Sequence, residues 1–315
     1  MKTVLKKMIT FFITVLLVTL FVFLAFELIP GDAATARLGT NATPEALSAL
    51  REELGLNRPF FVRYFSWLGS FFFGDMGIST SYRVTVRSML SSKLPITMTL
   101  TLMSFIMVIA ISIPAGVITS KYEDRVGSKI CDVTGQLAMS IPPFFLGIIV
   151  TYVFGMVLSM FTPGGYVSYE TDPLRFLGYM FFPALAIAVP KAAMSTKLLK
   201  TSILSERRLD YVRTAYSRGN STTDVLYKHV LKNALIPVIT FLGMTLADIV
   251  AGSLVIEQVF SIPGYGRLLI SSIANRDYPV VQSIITIIAM IVILINLLVD
   301  ILYQVLDPRL REGRS

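Results

Sequence analysis

The chain has 315 residues, 54% of them hydrophobic and only 15% charged, with a mean hydropathy of +0.70 and a net charge of +8. That balance excludes a soluble globular domain. With a single cysteine, Cys131, and a single histidine, His229, it also excludes an internal disulfide and a His-rich metal site.

A helix needs about 20 apolar residues to cross about 30 Å of hydrocarbon. The apolar runs here are continuous rather than alternating, which predicts a bundle of helices and not a barrel. The first span runs from about Met8 to Ile29, behind Lys2, Lys6 and Lys7, so the N-terminus is expected on the cytoplasmic side. Ala34-Thr35-Ala36 has the small-residue pattern of a signal cleavage site. The run of about 22 apolar residues exceeds the 7–15 of a signal peptide, however, and predicts a retained helix.

An exported loop over residues 30–95 follows. Thr43-Pro44-Glu45 reads as a helix start with proline at the first helical position, continued by Ala46, Leu47, Leu50 and Leu54 and ended by Gly55. The aromatics Phe60, Phe61, Tyr64, Phe65, Trp67 and Phe71 to Phe73 suit a membrane interface, where ring bodies and polar tips are both accommodated. Further spans are expected over Ile96 to Thr119, Leu137 to Phe161, Leu177 to Lys197, Ala234 to Ile256 and Val280 to Leu306. No linker separates domains, which predicts one bundle.

Alternation of these spans places the basic loops 121–132 and 197–233 and the arginine-bearing tail inside. The outside loops 162–175 and 257–279 carry one and two basic residues. The positive charge is therefore a topology signal facing an anionic inner leaflet, and no nucleic-acid partner is expected. In the outer loop 257–279, Pro263-Gly264 and Gly266 mark a turn before a short helix near the membrane surface.

Catalytic apparatus is missing. There is no GxxxxGK[ST] loop to cradle a nucleotide, no HExxH and no GxSxG elbow. Among ionisable groups inside spans, where a lipid-facing charge is costly, Asp248 is the foremost functional candidate, with Lys191 and Asp300 behind it. Asp248 either lines a path or makes an interhelical hydrogen bond; Met244, one turn before it, joins the candidate path. Lys191 and Asp300 have a blander reading, a snorkelling lysine and a carboxylate at the inner headgroups.

The inside loop 197–233 is the most informative stretch. Leu209, Val212 and Tyr216 share one helical face, and Asp210, Arg213 and Ser217 another. Gly219-Asn220 ends that helix, and Ser221 with Asp224 forms a capping box that starts a second. Such a segment either rests on the inner leaflet or docks a protein.

Its spacing resembles the cytoplasmic EAA loop of ABC importer permeases: EAA, three residues, Gly, nine residues, I-x-L-P. Arg213-Thr214-Ala215, Gly219 and His229-Val230-Leu231-Lys232 stand at those positions. Arg213, Thr214 and Lys232 depart from the general pattern and agree with the local form of its peptide/nickel branch. "LIPGD" at 28–32, "LGLNRP" at 54–59, "GDMGIS" at 74–79, "IPGYGRLL" at 262–269, "RDYPVVQ" at 276–282 and "DPRLR" at 307–311 resemble the first of two permease subunits in peptide-type importers.

The resemblance implies an all-α, polytopic, six-helix bundle of the type I ABC importer permease fold. Residues 1–29 would form an N-terminal helix, 30–95 the exported loop, 96–306 a five-helix core with a docking loop at 198–233, and 307–315 a cytoplasmic tail. It implies import of peptides, with nickel or other metal chelates and small solutes as alternatives. A secondary transporter or a membrane scaffold or sensor would be the reading without it.

The partners implied are a second permease, two ATPase subunits that hold ATP and Mg, a substrate-binding protein and membrane lipid, in a bacterial or archaeal cytoplasmic membrane with both termini inside. This chain would be no enzyme and carry no cofactor or metal. Asp210, Val212, Arg213, Thr214, Ala215, Tyr216, Arg218, Gly219, His229 and Leu231 would dock an ATPase subunit, with Val212 and Tyr216 as apolar anchors. The outer-loop motif would be Glu257, Pro263, Gly264, Gly266, Arg267 and Asp277.

Overall fold

The computed structural model describes residues 2–28, 33–38, 42–53 and 55–306. Among them, every regular element is helical apart from one isolated antiparallel bridge between Ile78 and Thr85. Most of "LIPGD", Leu54 and the whole of "DPRLR" lie outside the described residues.

In chain order the helices are α1 (Lys2–Leu28), α2 (Ala33–Leu38), α3 (Pro44–Glu53), α4 (Phe60–Phe72), α5 (Val86–Lys121), α6 (Val126–Ser140) and α7 (Pro143–Val150). There follow α8 (Pro173–Glu206), α9 (Asp210–Ser217), α10 (Thr222–Asp224), α11 (Leu231–Val259), α12 (Tyr265–Ala274) and α13 (Tyr278–Leu306). Two π-helical segments, Thr151–Val157 and Val225–Val230, continue α7 and join α10 to α11.

Five stretches are long and apolar enough to cross a membrane: Lys7–Leu28, Val86–Lys121, Pro173–Glu206, Thr222–Val259 and Tyr278–Leu302. The expected third span is not straight. It is α6 and α7 with its π-helical end, bent by 105°. The cause is the run Ile141-Pro142-Pro143: a residue before proline is pushed out of the α region. Ile141 and Pro142 both precede a proline, and both are extended, with ψ of 122° and 140°. Pro143 then enters α7 at its first turn, where a missing N–H costs nothing.

The chain divides into two compact units, Met1–Thr97 with Pro263–Leu294 and Met98–Ile262 with Ile295–Ser315. Two of the three divisions fall inside α5 and α13, where a continuous helix leaves no compositional mark, and the third falls between Ile262 and Pro263 in the turn before α12.

In the first unit α1 packs on α4 through rings. Phe23 meets Phe60, Tyr64 and Trp67, and the Tyr64 hydroxyl donates to the Leu16 carbonyl at 3.0 Å. The aromatic stretch is thus split. Tyr64, Leu68 and Phe71 are buried, whereas Phe61, Phe65, Phe72 and Phe73 remain exposed.

In the second unit α8 is the central helix, packed against α11, α6 and α7. Its small residues Ala184, Ala186, Ala188 and Ala192 are buried, so that neighbouring backbones approach closely as in other membrane bundles. Close approach recurs at two glycines. A Cβ at Gly116 would lie 2.8 Å from Leu199, and one at Gly243 would lie 2.2 Å from Val299.

Candidate coupling helix and intramembrane ion pair

The loop expected over 198–233 is mostly helix. The span α8 runs on to Glu206, and the next span begins at Thr222, which leaves α9 and two short turns between them. Asp210 in the first turn of α9 complements the partial positive charge of the helix N-terminus. At the other end the Arg218 and Gly219 amides bond back to the Thr214 and Tyr216 carbonyls, and Asn220 Nδ2 donates to the Ala215 carbonyl at 2.9 Å. Gly219 has φ of +82°, the left-handed conformation of a helix C-terminus. Ser221 Oγ then accepts from the Asp224 amide at 3.1 Å and caps the next helix, as the capping-box spacing predicts.

Three tethers fix this segment to the spans. Tyr211 donates its hydroxyl to Glu206 Oε2 at 2.5 Å and accepts from Asn233 Nδ2 at 3.1 Å. Burial and the adjacent Glu206 carboxylate raise the Tyr211 phenol above its ordinary pKa, so it stays protonated and able to donate. Arg207 donates to the Ser120 carbonyl at the end of α5 at 3.2 Å, and Lys121 to Thr223 Oγ1 at 3.3 Å. Sequence spacing singled out none of these residues, because the partners of Tyr211 lie on two different helices.

α9 packs against the π-helical segment Val225–Val230. Val212 and Ala215 are buried there at 0% and 6% exposure, and they hold α9 to its own chain. The face open to a partner carries Asp210, Arg213, Thr214, Ser217 and Arg218, with Tyr216 partly exposed beside them. The Asp210–Arg213 pair, 3.6 Å apart and almost fully exposed, adds little to stability. His229 is exposed on the π-helical segment, and Leu231, the first residue of α11, is half-buried.

Within the spans the structure joins two of the three path candidates. Lys191 Nζ on α8 donates to Asp248 Oδ2 on α11 at 2.9 Å. From Asp248 to the end of α11 at Val259 is about 16 Å, and from Lys191 to the end of α8 at Glu206 about 22 Å, so the pair lies deep in both helices. An unpaired charge at that depth costs at least about 2.5–3.5 kcal/mol, which pairing offsets. Met244 is exposed one turn before Asp248 on the same face.

Below the pair, Lys200 Nζ bonds Asp132 Oδ2 at 2.6 Å and Ser128 Oγ at 3.0 Å. A cavity of about 530 Å³ between α5, α6 and α8 includes Asp132, Gln136, Lys197 and Lys200 among its lining.

Of the outer-loop motif, Glu257 belongs to α11, which runs on to Val259. Glu257 is fully buried, and its carbonyl accepts from the Ile262 amide at 2.8 Å. Pro263 is half-buried, and Gly264 and Gly266 open α12 beside an exposed Arg267. Asp277 is fully buried. It accepts from Ser79 Oγ and from the Thr80 and Ser81 amides at 3.1 and 3.3 Å, joining two motifs nearly 200 residues apart.

The model of a family described as binding-protein-dependent transport system inner membrane component matches residues 112–312, and that of the family's N-terminal membrane component matches 1–101. The chain belongs to this family. Relatives include the oligopeptide transport system permease protein AppB of Bacillus subtilis, 35% identical over 93% of this chain and 94% of that one. The glutathione transport system permease protein GsiC of Escherichia coli O6:H1 is 32% identical over 98% of both. The permease is thus a multi-pass, all-α membrane component of a binding-protein-dependent transport system, and the ATPase of such a system lies in separate subunits.

Proposed function

We propose that the chain is one of two permease subunits of an ATP-driven importer of short peptides, and that α9 is the element through which an ATPase subunit drives it. The observation that carries this reading is α9 itself. It is a short helix held on its inner face by Val212, Ala215 and the Tyr211 clamp, with a polar outer face that nothing among the described residues covers. A lever needs that combination: a surface for a partner, and stiff attachment to the spans that move.

Two ATPase subunits, binding ATP and Mg, sit on the cytoplasmic side with both chain termini. A second, homologous permease completes the path, and a substrate-binding protein delivers peptide to the side of the membrane opposite the ATPase subunits. Lys191, Asp248 and Met244 line the path. Peptide is the substrate class supported by the names of the relatives.

The test is affinity purification of the tagged chain with its neighbouring subunits expressed, followed by reconstitution and uptake of labelled tripeptide. An ATPase chain and a second permease should copurify, and uptake should require ATP. Recovery of the chain alone, with ATP-independent uptake, would overturn the reading.

A further inference from the structure

The Lys191–Asp248 pair uses little of its bonding capacity. An ammonium has three donors and a carboxylate about four acceptor sites, yet among the described residues one hydrogen bond joins them and neither charged group makes another. The Asp248 side chain is 65% exposed and the Lys191 side chain 22%. Such exposure in mid-span is not directed at lipid, since a carboxylate there would have lost its hydration without replacement. The pair therefore presents one negative and one positive group, adjacent and incompletely bonded, on a face of α8 and α11 that includes Met244.

We propose that this pair is the station at which the permease reads the charged ends of a short peptide, an inference that rests on the peptide-import reading above. The free amino terminus of the peptide takes the place of Lys191 on Asp248, and its carboxylate takes the place of Asp248 on Lys191. In the empty permease the two residues neutralise each other. A ligand that supplies both charges separates them without leaving either unpaired. A ligand with one blocked terminus leaves one mid-span charge without a partner, which disfavours it. The arrangement selects zwitterionic peptides over neutral or singly charged solutes of equal size, and it does so by the cost of opening the pair as much as by attraction.

The experiment measures equilibrium binding of labelled trialanine, N-acetyl-trialanine and trialanine amide to the complete transporter in nanodiscs without binding protein, alongside ATP-driven uptake of trialanine. The wild type should bind trialanine about tenfold tighter than either blocked form. Asp248→Asn should lose the penalty for the acetylated peptide and keep that for the amide, and Lys191→Met should show the converse. The double variant Asp248→Asn/Lys191→Met leaves no unpaired charge in the membrane and so covers the case in which a single variant fails to assemble; it should bind all three peptides alike. A merely structural ion pair would lower assembly without changing this ranking. The proposal is overturned if wild type does not distinguish the three peptides, if it binds none of them while still importing trialanine, or if the variants keep the wild-type ranking. Absence of both binding and uptake would instead remove the peptide-import reading.

Discussion

Gly219 ends α9 with φ of +82°, and an added Cβ there would meet no atom within 4 Å. Substitution is therefore opposed by backbone conformation and not by space. An L-residue in the left-handed region costs about 1–2 kcal/mol, asparagine tolerates it best, and a β-branched side chain is least accommodated. The expected order of damage is Asn, then Ala, then Val. If the turn at Gly219 aims α9 at the ATPase, about 1–2 kcal/mol reduces the correctly aimed fraction by about 5–30-fold where that fraction is already limiting.

The assay reconstitutes the complete transporter with each variant and reads peptide uptake together with ATP hydrolysis stimulated by loaded binding protein. Gly219→Asn should transport near the wild-type rate. Gly219→Ala should be slower, and Gly219→Val should insert normally yet hydrolyse ATP with little uptake. Normal uptake by the valine variant would refute the lever. A variant order that follows side-chain volume, with asparagine as damaging as valine, would refute the conformational explanation while leaving α9 as a contact.

Tyr211→Phe removes the hydrogen bonds to Glu206 and Asn233 and keeps the ring; at about 0.5–1.5 kcal/mol per bond it should lower coupled uptake several-fold at unchanged expression, read in the same vesicles. Asp277→Ala strands one buried hydroxyl and two backbone amides, each costing about 1–3 kcal/mol, and should speed proteolysis of the 74–82 segment in intact vesicles; unchanged proteolysis would deny Asp277 its organising role. Gly243→Ala forces a Cβ into Val299 and should cost at least about 1–3 kcal/mol by overpacking, seen as a lower melting temperature that Val299→Ala in the same chain restores.

The spans were legible because mean apolarity over about 20 residues is a bulk property that lipid imposes on any helix crossing it. Helix ends were legible where chemistry is local: the Ser221–Asp224 cap and the Gly219 turn each depend on residues within one turn of each other. The side on which α9 faces its own chain was not. The period placing Leu209, Val212 and Tyr216 on one face says that this face is apolar, and an apolar face can be covered from inside or outside the chain.

What decides the matter is the neighbouring π-helical segment, which contributes buried Val225, Leu226 and Val230. Val212 and Ala215 are buried in the face of α9 that packs on this segment, while Leu209 and Tyr216 at the margins stay partly exposed. The Lys191–Asp248 pair shows the same limit from the other direction. Each residue was marked by the cost of a charge in a span, but their partnership needed two helices to pass at one depth, which no pattern within either helix records. Functional contacts of this permease that join distant elements follow from packing, and those that cap, turn or break a helix follow from the residues themselves. The bent third span belongs to the second kind. Ile141 and Pro142 each precede a proline and both are extended, so the crossing bends at Ile141-Pro142-Pro143 for a reason that lies in these three residues.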